Sequence, residues 1–302
     1  YTITNLLSKI RTEPLFLAQH PMPVLHVDEA SMVDLPTMYR VLKAFEGKPI
    51  RLVFIGDEAQ LPPIGPGLIF HILLKAKKVP VITLDINYRQ LAGNGVAIAA
   101  KQIRAGKQFV PNKDVELIEC NAEKMLDTVQ AQYMQYQTQG VHVIAARKAT
   151  VAECNRGLHQ TLLANAPVVE SAPEFRIGDS VIFKKNNQKL GLVNGSVGTV
   201  VTTTQGDLVE ETNTRKSKNK GVEFVKVMMK ADIVVEFKNE GRVPMLLKHI
   251  KNQNSGDWYL HHAYAITCHA AQGSEFNVAI IPIEESFLCE RSWLYTAVTR
   301  AK

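Results

Sequence analysis

The chain has 302 residues, 46% of them hydrophobic and 21% charged, with a formal net charge of +6 at pH 7. This composition excludes a disordered or fibrous chain, and at roughly 100–200 residues per domain the length suggests two domains or three small ones. The longest apolar stretches, such as Leu68 to Leu74, are too short for a membrane span, and the first residues lack the pattern of a secretory signal. A soluble cytoplasmic protein is therefore expected, and the start at Tyr1 reads as a fragment of a longer chain. Cys120, Cys154, Cys268 and Cys289 form no C-x-x-C pair, so neither a zinc site nor a disulfide framework is expected. The charge is concentrated. Residues 174–256 hold 14 Lys+Arg against 9 Asp+Glu, whereas the rest of the chain holds 21 against 20. Such a segment is either solvated surface or the footprint of a polyanion.

In chain order, Val24 to Val27 and Leu52 to Gly56 are short apolar runs, each followed at once by an acidic residue. Buried parallel strands have this pattern, with chemistry at their C-terminal ends. Leu35 to Phe45 has helical spacing with Pro36 near its start, which makes a strand–helix–strand unit. The α/β rhythm continues with a helix over 96–105 ended by Gly106, a strand over 141–146 and a helix over 151–164. The character then changes. Short strands are expected at 180–184, 198–201, 222–227 and 233–237, with turn chemistry at Asn194-Gly195 and a flexible polar run over 210–220. This reads as a small all-β barrel inserted into an α/β domain that resumes at Tyr259.

Several motifs carry chemistry. His26-Val27-Asp28-Glu29-Ala30-Ser31 ends an apolar strand in two carboxylates, the Walker B arrangement. There the Asp holds Mg²⁺, usually through water, and the Glu activates the attacking water. A solvated strand end is the bland alternative. Gly56-Asp57-Glu58-Ala59-Gln60-Leu61-Pro62-Pro63 places an amide that can sense a γ-phosphate on a loop stiffened by proline; an ordinary Pro-rich turn is the alternative. Asn87-Tyr88-Arg89-Gln90, the run from Tyr264 to Phe276 and the run from Leu294 to Lys302 follow. An Arg delivered to a γ-phosphate is worth about 10³–10⁵ in rate.

The ordered series of D-E-A-S-M, G-D-x-x-Q-L-P-P-x-G, Y-R-Q, N-G-x-x-G, H-x-x-Q-G-S-E-F and L-Y-T-A-x-T-R-A resembles the motor core of superfamily-one DNA helicases. Within them it resembles the RecD-like branch, named for the alpha subunit of exodeoxyribonuclease V. The resemblance implies two RecA-like parallel-sheet domains that clamp ATP, with an SH3-like barrel inserted in the second. On that pattern 1–91 is the first, partial RecA-like domain, 92–173 and 257–302 form the second, and 174–256 is the basic insertion. It implies Glu29 as catalytic base and Asp28 as Mg²⁺ ligand. Gln60, Arg89 and Arg300 would meet the γ-phosphate, while Gln272, Gly273 and Glu275 line the nucleotide cleft. Thr267 and His269 would couple closure to the DNA strand. Pro62, Pro63, the segment from Arg147 to Asn155, Lys184 and Lys185 are weaker DNA-contact candidates, and Arg147 fits a plain surface residue as well. Lys189, Lys216, Lys218 and Lys220 are either phosphate contacts or solvated. Asn194, Gly195 and Gly198 fit the family turn, where glycine serves backbone geometry. Residues 9–23 stand where relatives carry a strand-separating pin.

The sequence also departs from the family. G-x-x-x-x-G-K-[ST] is absent, and Thr2 to Leu7 resembles the segment that follows that loop, so the loop is expected upstream and this chain alone is not expected to hydrolyse ATP. Thr4-Asn5 stand in place of a His-Arg pair, and Ala270 in place of a basic residue. The expected function is an ATP- and Mg²⁺-dependent 5′→3′ DNA helicase of repair, recombination or conjugation. Its expected partners are single-stranded DNA, single/double-strand junctions and helicase–nuclease subunits, with no membrane. The alternatives are a non-hydrolysing DNA-binding subunit with a decayed motor, and the helicase half of a conjugative relaxase.

Overall fold

The computed structural model describes residues 2–13, 15–20, 22–84, 94–217 and 221–302. They form two compact units, Tyr1–Ile118 with Glu285–Lys302, and Glu119–Glu284. Among the described residues no helix is long and apolar enough to cross a membrane.

The first unit starts with α1 (Ile3–Thr12), capped by the Thr2 hydroxyl, which accepts the Asn5 N–H at 3.1 Å. Then come β1 (Val24–Val27), α2 (Leu35–Ala44) and β2 (Arg51–Phe54), the expected strand–helix–strand unit. Asp34 starts α2 by accepting the Thr37 N–H at 2.8 Å, with Pro36 in the first turn where its missing N–H costs nothing. β1 and β2 pair in parallel, with Val27 opposite Phe54. Helix α3 (Ile69–Ala76) adds Phe70 to a core of Val27, Met38, Val41 and Phe45. The two strands are less buried than their apolar runs suggested: Val24 is 49% and Val53 36% exposed. Leu25, Val27 and Phe54 enter the helix-covered core, whereas Val24 and Val53 are exposed among the described residues. The described part of 9–23 is the end of α1 and a turn, with no strand pair. After α3 comes α4 (Gly95–Arg104), capped by Asn94, whose side chain accepts the Val96 N–H at 2.7 Å.

In the second unit α5 (Met125–Tyr136) leads into β3 (Val141–Ala145) and α6 (Lys148–Leu162). Next is an antiparallel module: β4 (Ser180–Phe183), β5 (Ser196–Val201), β6 (Leu208–Ser217), β7 (Gly221–Lys230), β8 (Ile233–Phe237) and β9 (Gly241–Met245). The short α7 (Leu247–Ile250) connects to β10 (Leu260–His262). The α/β layer then returns as β11 (Ala265–Thr267), α8 (Cys268–Ala271) and β12 (Val278–Ile280). Strands β11 and β12 flank β3 in a parallel sheet of order β11-β3-β12. Against this sheet pack Val129 and Tyr133 of α5 and Cys154 and Leu158 of α6.

The inserted module departs from expectation in two ways. Its strands form an open five-stranded antiparallel sheet, β10-β4-β5-β8-β9, and no closed SH3-like barrel is found among the described residues, because β10 and β9 remain edges. The run read as a flexible connection is instead largely strand: β6 pairs along its whole length with β7 in a separate hairpin, from Leu208↔Lys230 to Ser217↔Gly221. A polar sequence forms a strand here because its partner supplies the ladder hydrogen bonds. Lys218 and Lys220 lie outside the described residues. The core of the five-stranded sheet is Val181, Phe183, Val200, Ile233, Val235, Phe237, Met245, Ile250 and Leu260.

The chain ends in α9 (Arg291–Val298), which packs on α4. This packing groups 94–118 and 285–302 with the first unit, whereas the resemblance assigns both to the second RecA-like domain.

Candidate functional site

In the first unit, parallel pairing brings the ends of β1 and β2 together, so Asp28-Glu29 and the Ile55–Gln60 loop emerge side by side. The Ala30 N–H donates to the Ile55 carbonyl at 2.8 Å. A Cβ at Gly56 would stand 3.1 Å from the Ala30 and Ser31 nitrogens, so the close approach of the two loops needs glycine there. Glu29 has left-handed backbone (φ 49°, ψ 42°), uncommon outside glycine and held here by its neighbours. Its N–H donates to Asp28 Oδ1 at 2.9 Å. Asp57 accepts the Ala59 N–H at 3.0 Å and the Tyr295 hydroxyl at 2.6 Å, and lies 3.4 Å from Arg104 Nη1. Gln60 Oε1 is buried with no hydrogen-bond partner among the described residues. Pro62 and Pro63 are half-buried behind it. Arg300 is 1% exposed; its Nε donates to the Thr296 carbonyl and its Nη2 to Thr299 Oγ1, both at 3.2 Å. Arg89 lies outside the described residues.

In the second unit, Thr267 ends β11 and caps α8, its hydroxyl accepting the Ala270 N–H at 3.3 Å. Gln272 follows α8 with both amide atoms buried and without partners among the described residues. Gly273 sits at φ 73°, in left-handed backbone that disfavours a side chain. Glu275 is half-buried in the same turn region. Asn155 of α6 fixes β11 with a pair of bonds, donating to the Ala265 carbonyl at 2.9 Å and accepting its N–H at 2.8 Å.

Thr267, His269, Ala270 and Gln272 line a groove of about 1030 Å³ between α6 and the antiparallel module. Four cations also line it: Lys148 and Arg156 from α6, and Lys184 and Lys238 from the module. Burial, then the nearby Lys148, holds the Lys184 ammonium below its usual value; burial lowers His269 as well. Four cations against one lining carboxylate, Glu240, suit an anionic chain rather than an apolar ligand.

Other candidates lie elsewhere. Lys185 stacks its ammonium 4.0 Å over the Tyr259 ring in a separate depression that also holds Lys189, Lys248 and Lys251. Arg147 is ion-paired with Glu284, so its charge is compensated. His159, Asp179 and His262 cluster closely enough to suggest a metal site, but the carboxylate is already saturated. Asp179 Oδ1 accepts from His159 Nδ1 at 2.7 Å and the Tyr264 hydroxyl at 2.6 Å, and Oδ2 accepts the Arg176 N–H at 2.6 Å. Such a closed network joins α6 to the inserted module.

Sequence reasoning reached Lys148 only as part of the 147–155 segment and missed Arg156 and Lys238, which no motif marks; it did not single out Asp57, Tyr295 and Thr296, which lie inside motifs it named. A signal existed for the last three: an acid, a phenol and a hydroxyl lie within a few residues of Gln60 and Arg300, both singled out from the sequence.

The first 122 residues match the family model of an AAA domain, and residues 262–302 match that of a UvrD-like helicase C-terminal domain. The chain is 28% identical over 290 residues to the ATP-dependent RecD2 DNA helicase of Deinococcus radiodurans, covering 93% of this chain and 36% of that protein. It is 25% identical over 352 aligned positions to the RecBCD enzyme subunit RecD of Buchnera aphidicola subsp. Acyrthosiphon pisum, covering 93% and 52%. The chain thus spans between a third and about half the length of these curated relatives. In fold it is similar to the Pif1 helicase from Bacteroides solved in complex with ADP-AlF3 and ssDNA, with a TM-score of 0.54, 18% identity, and coverage of 98% of this chain and 70% of that one. An AAA-domain model over the first 122 residues, a helicase C-terminal model over the last stretch, and relatives that align along nearly all of the chain make it similar to RecD-like helicases of superfamily one.

Proposed function

We propose that the chain is the motor core of an ATP-dependent DNA helicase that moves 5′→3′ on single-stranded DNA as part of its parent protein. The observation that carries the reading is the junction of β1 and β2, where a strained Glu29 and its neighbour Asp28 stand beside the loop of Gln60. The buried amide oxygen of Gln60 and both amide atoms of Gln272, without partners among the described residues, support it, because leaving such groups unsatisfied costs about 1–3 kcal/mol each unless a ligand completes them. A nucleotide with its metal fits this donor set: exposed Asp28 would hold Mg²⁺ through water, and the ion would supply charge neutralisation at the phosphate oxygens.

The protein groups divide the remaining work. Glu29 accepts the proton of the attacking water from its place in the left-handed turn that follows β1. Gln60 orients through its amide, and Arg300 stabilises the charge that develops on the transferred group. In the second unit the groove of Lys148, Arg156, Lys184 and Lys238 holds the DNA backbone. Thr267, Ala270 and Gln272 sit on one strand-to-helix turn along that groove, so a change at Gln272 reaches the DNA wall through a few bonds. Duplexes with a 5′ or a 3′ single-stranded tail test the reading in the parent protein. ATP-dependent separation of the 5′-tailed substrate supports it. Tight DNA binding with no ATP turnover would favour a decayed motor, with Ala270→Lys the first restoration.

A further inference from the structure

Two hydrogen bonds within the first unit join the two motifs that the proposed function sends to the γ-phosphate. The Tyr295 hydroxyl donates to Asp57 Oδ2 at 2.6 Å, three residues before Gln60. The Leu61 N–H, one residue after Gln60, donates to Thr296 Oγ1 at 2.9 Å. Gln60 is thus tied to α9 on both sides. Thr296 also faces the other way: its hydroxyl donates to the Ser292 carbonyl at 2.7 Å, and its own carbonyl accepts Arg300 Nε at 3.2 Å. One residue therefore touches both the loop of the amide and the guanidinium.

We infer that Tyr295 and Thr296 are positioning residues that fix Gln60 and Arg300 relative to each other for ATP hydrolysis; the inference rests on the reading of those two residues given above. Tyr295 is 8% exposed and Thr296 fully buried, so neither bond is weakened by competing water. Burial, and then the Asp57 carboxylate, pushes the phenol up to about 12, so the hydroxyl remains a donor at any pH at which the protein works. Arg104 lies 3.4 Å from the other oxygen of Asp57. The physical need is geometric. Two groups that act on one phosphate must keep their spacing, and misplacement by about 1 Å costs on the order of 10²-fold in rate.

The test is steady-state ATP hydrolysis by the parent protein with saturating single-stranded DNA, alongside DNA affinity and thermal unfolding. Tyr295→Phe and Thr296→Val delete the acceptor or donor with little change of shape, whereas Thr296→Ser retains the hydroxyl. The expected result is a kcat lowered about tenfold or more in the first two, with KM for ATP and DNA affinity within about twofold, and near-normal kcat in the third. Asp57→Ala combined with Tyr295→Phe is expected to be no worse than the worse single variant. Wild-type kcat in Tyr295→Phe and Thr296→Val, additive losses in the double variant, or a loss that follows the folded fraction alone would overturn the inference. An unsubstituted protein that does not turn over ATP overturns the underlying reading and this inference with it.

Discussion

The Tyr264 hydroxyl donates to Asp179 Oδ1 at 2.6 Å and joins the first residue after β10 and its turn to the loop that opens the inserted module. Asp179 is fully buried, and it also accepts from His159 of α6. Burial pushes its carboxyl up, but the neighbouring His262 ring, 3.4 Å away, and the bonds from Tyr264, the Arg176 N–H and His159 together outweigh burial and hold it below the usual carboxylate value. Tyr264→Phe leaves the ring and removes one donor to a buried charge. It is expected to lower unfolding free energy by about 1.5–3 kcal/mol, measured by urea titration, with little change in the slope. An unchanged midpoint would mean that His159 and the Arg176 N–H suffice.

Acid stability has a second, separable source. His142 lies in β3 with its ring stacked on Phe276 at 4.2 Å, and both ring nitrogens are buried without partners among the described residues. Burial, and next the charge of Lys238, lowers it from 6.5 to about 4. The neutral ring is therefore favoured by folding, so the unfolded chain binds a proton first as the pH falls. Stability is expected to be unaffected above pH 6.5 and to drop by about 3 kcal/mol as the pH falls from 6.5 to about 4. His142→Leu should flatten that window. The contribution of Asp179, whose carboxyl is depressed, is present above its unfolded value and is lost only as the pH falls through its lower folded value.

Glycine positions in the module separate two reasons for the same residue. A Cβ at Gly198 of β5 would meet the Glu236 carbonyl oxygen at 2.5 Å and Phe237 Cα at 2.9 Å, both backbone atoms of the paired strand β8. Gly195 is in open space at φ 104°. Gly198→Ala is expected to cost about 1–3 kcal/mol through overpacking, and Gly195→Ala about 1 kcal/mol through backbone strain alone. Thermal unfolding of the two variants checks the order.

Much of this organisation was legible beforehand, for identifiable reasons. Strand ends and motif order follow local rules, so β1, α2, β3 and β8 fall where periodicity put them, and Asp28, Glu29 and Gln60 do share one loop junction. What local rules could not reach was long-range. The β6–β7 hairpin depends on a partner strand, and the open edges β9 and β10 depend on which strands fail to meet. Lys148, Arg156, Lys184 and Lys238 come from α6 and the inserted module, and only folding brings them to one groove. The Asp57–Tyr295 bond spans 238 residues of sequence.

The groove can be read from salt. If all four cations neutralise phosphates, log affinity for single-stranded DNA should fall with log salt at a slope of about −3, at roughly −0.7 per contact. Lys238→Ala and Lys184→Ala should each reduce that slope by about 0.7, uniformly across DNA sequences. A substitution at Arg147, already paired with Glu284, should leave it unchanged.

The most direct test of the motor reading is ATP hydrolysis by the parent protein with and without single-stranded DNA, compared with its Glu29→Gln and Arg300→Ala variants. The account predicts hydrolysis stimulated by DNA and reduced by at least 10²-fold in each variant, with DNA binding retained. Hydrolysis that is indifferent to both substitutions, or none at all in the unsubstituted protein despite tight and salt-sensitive DNA binding, would contradict it.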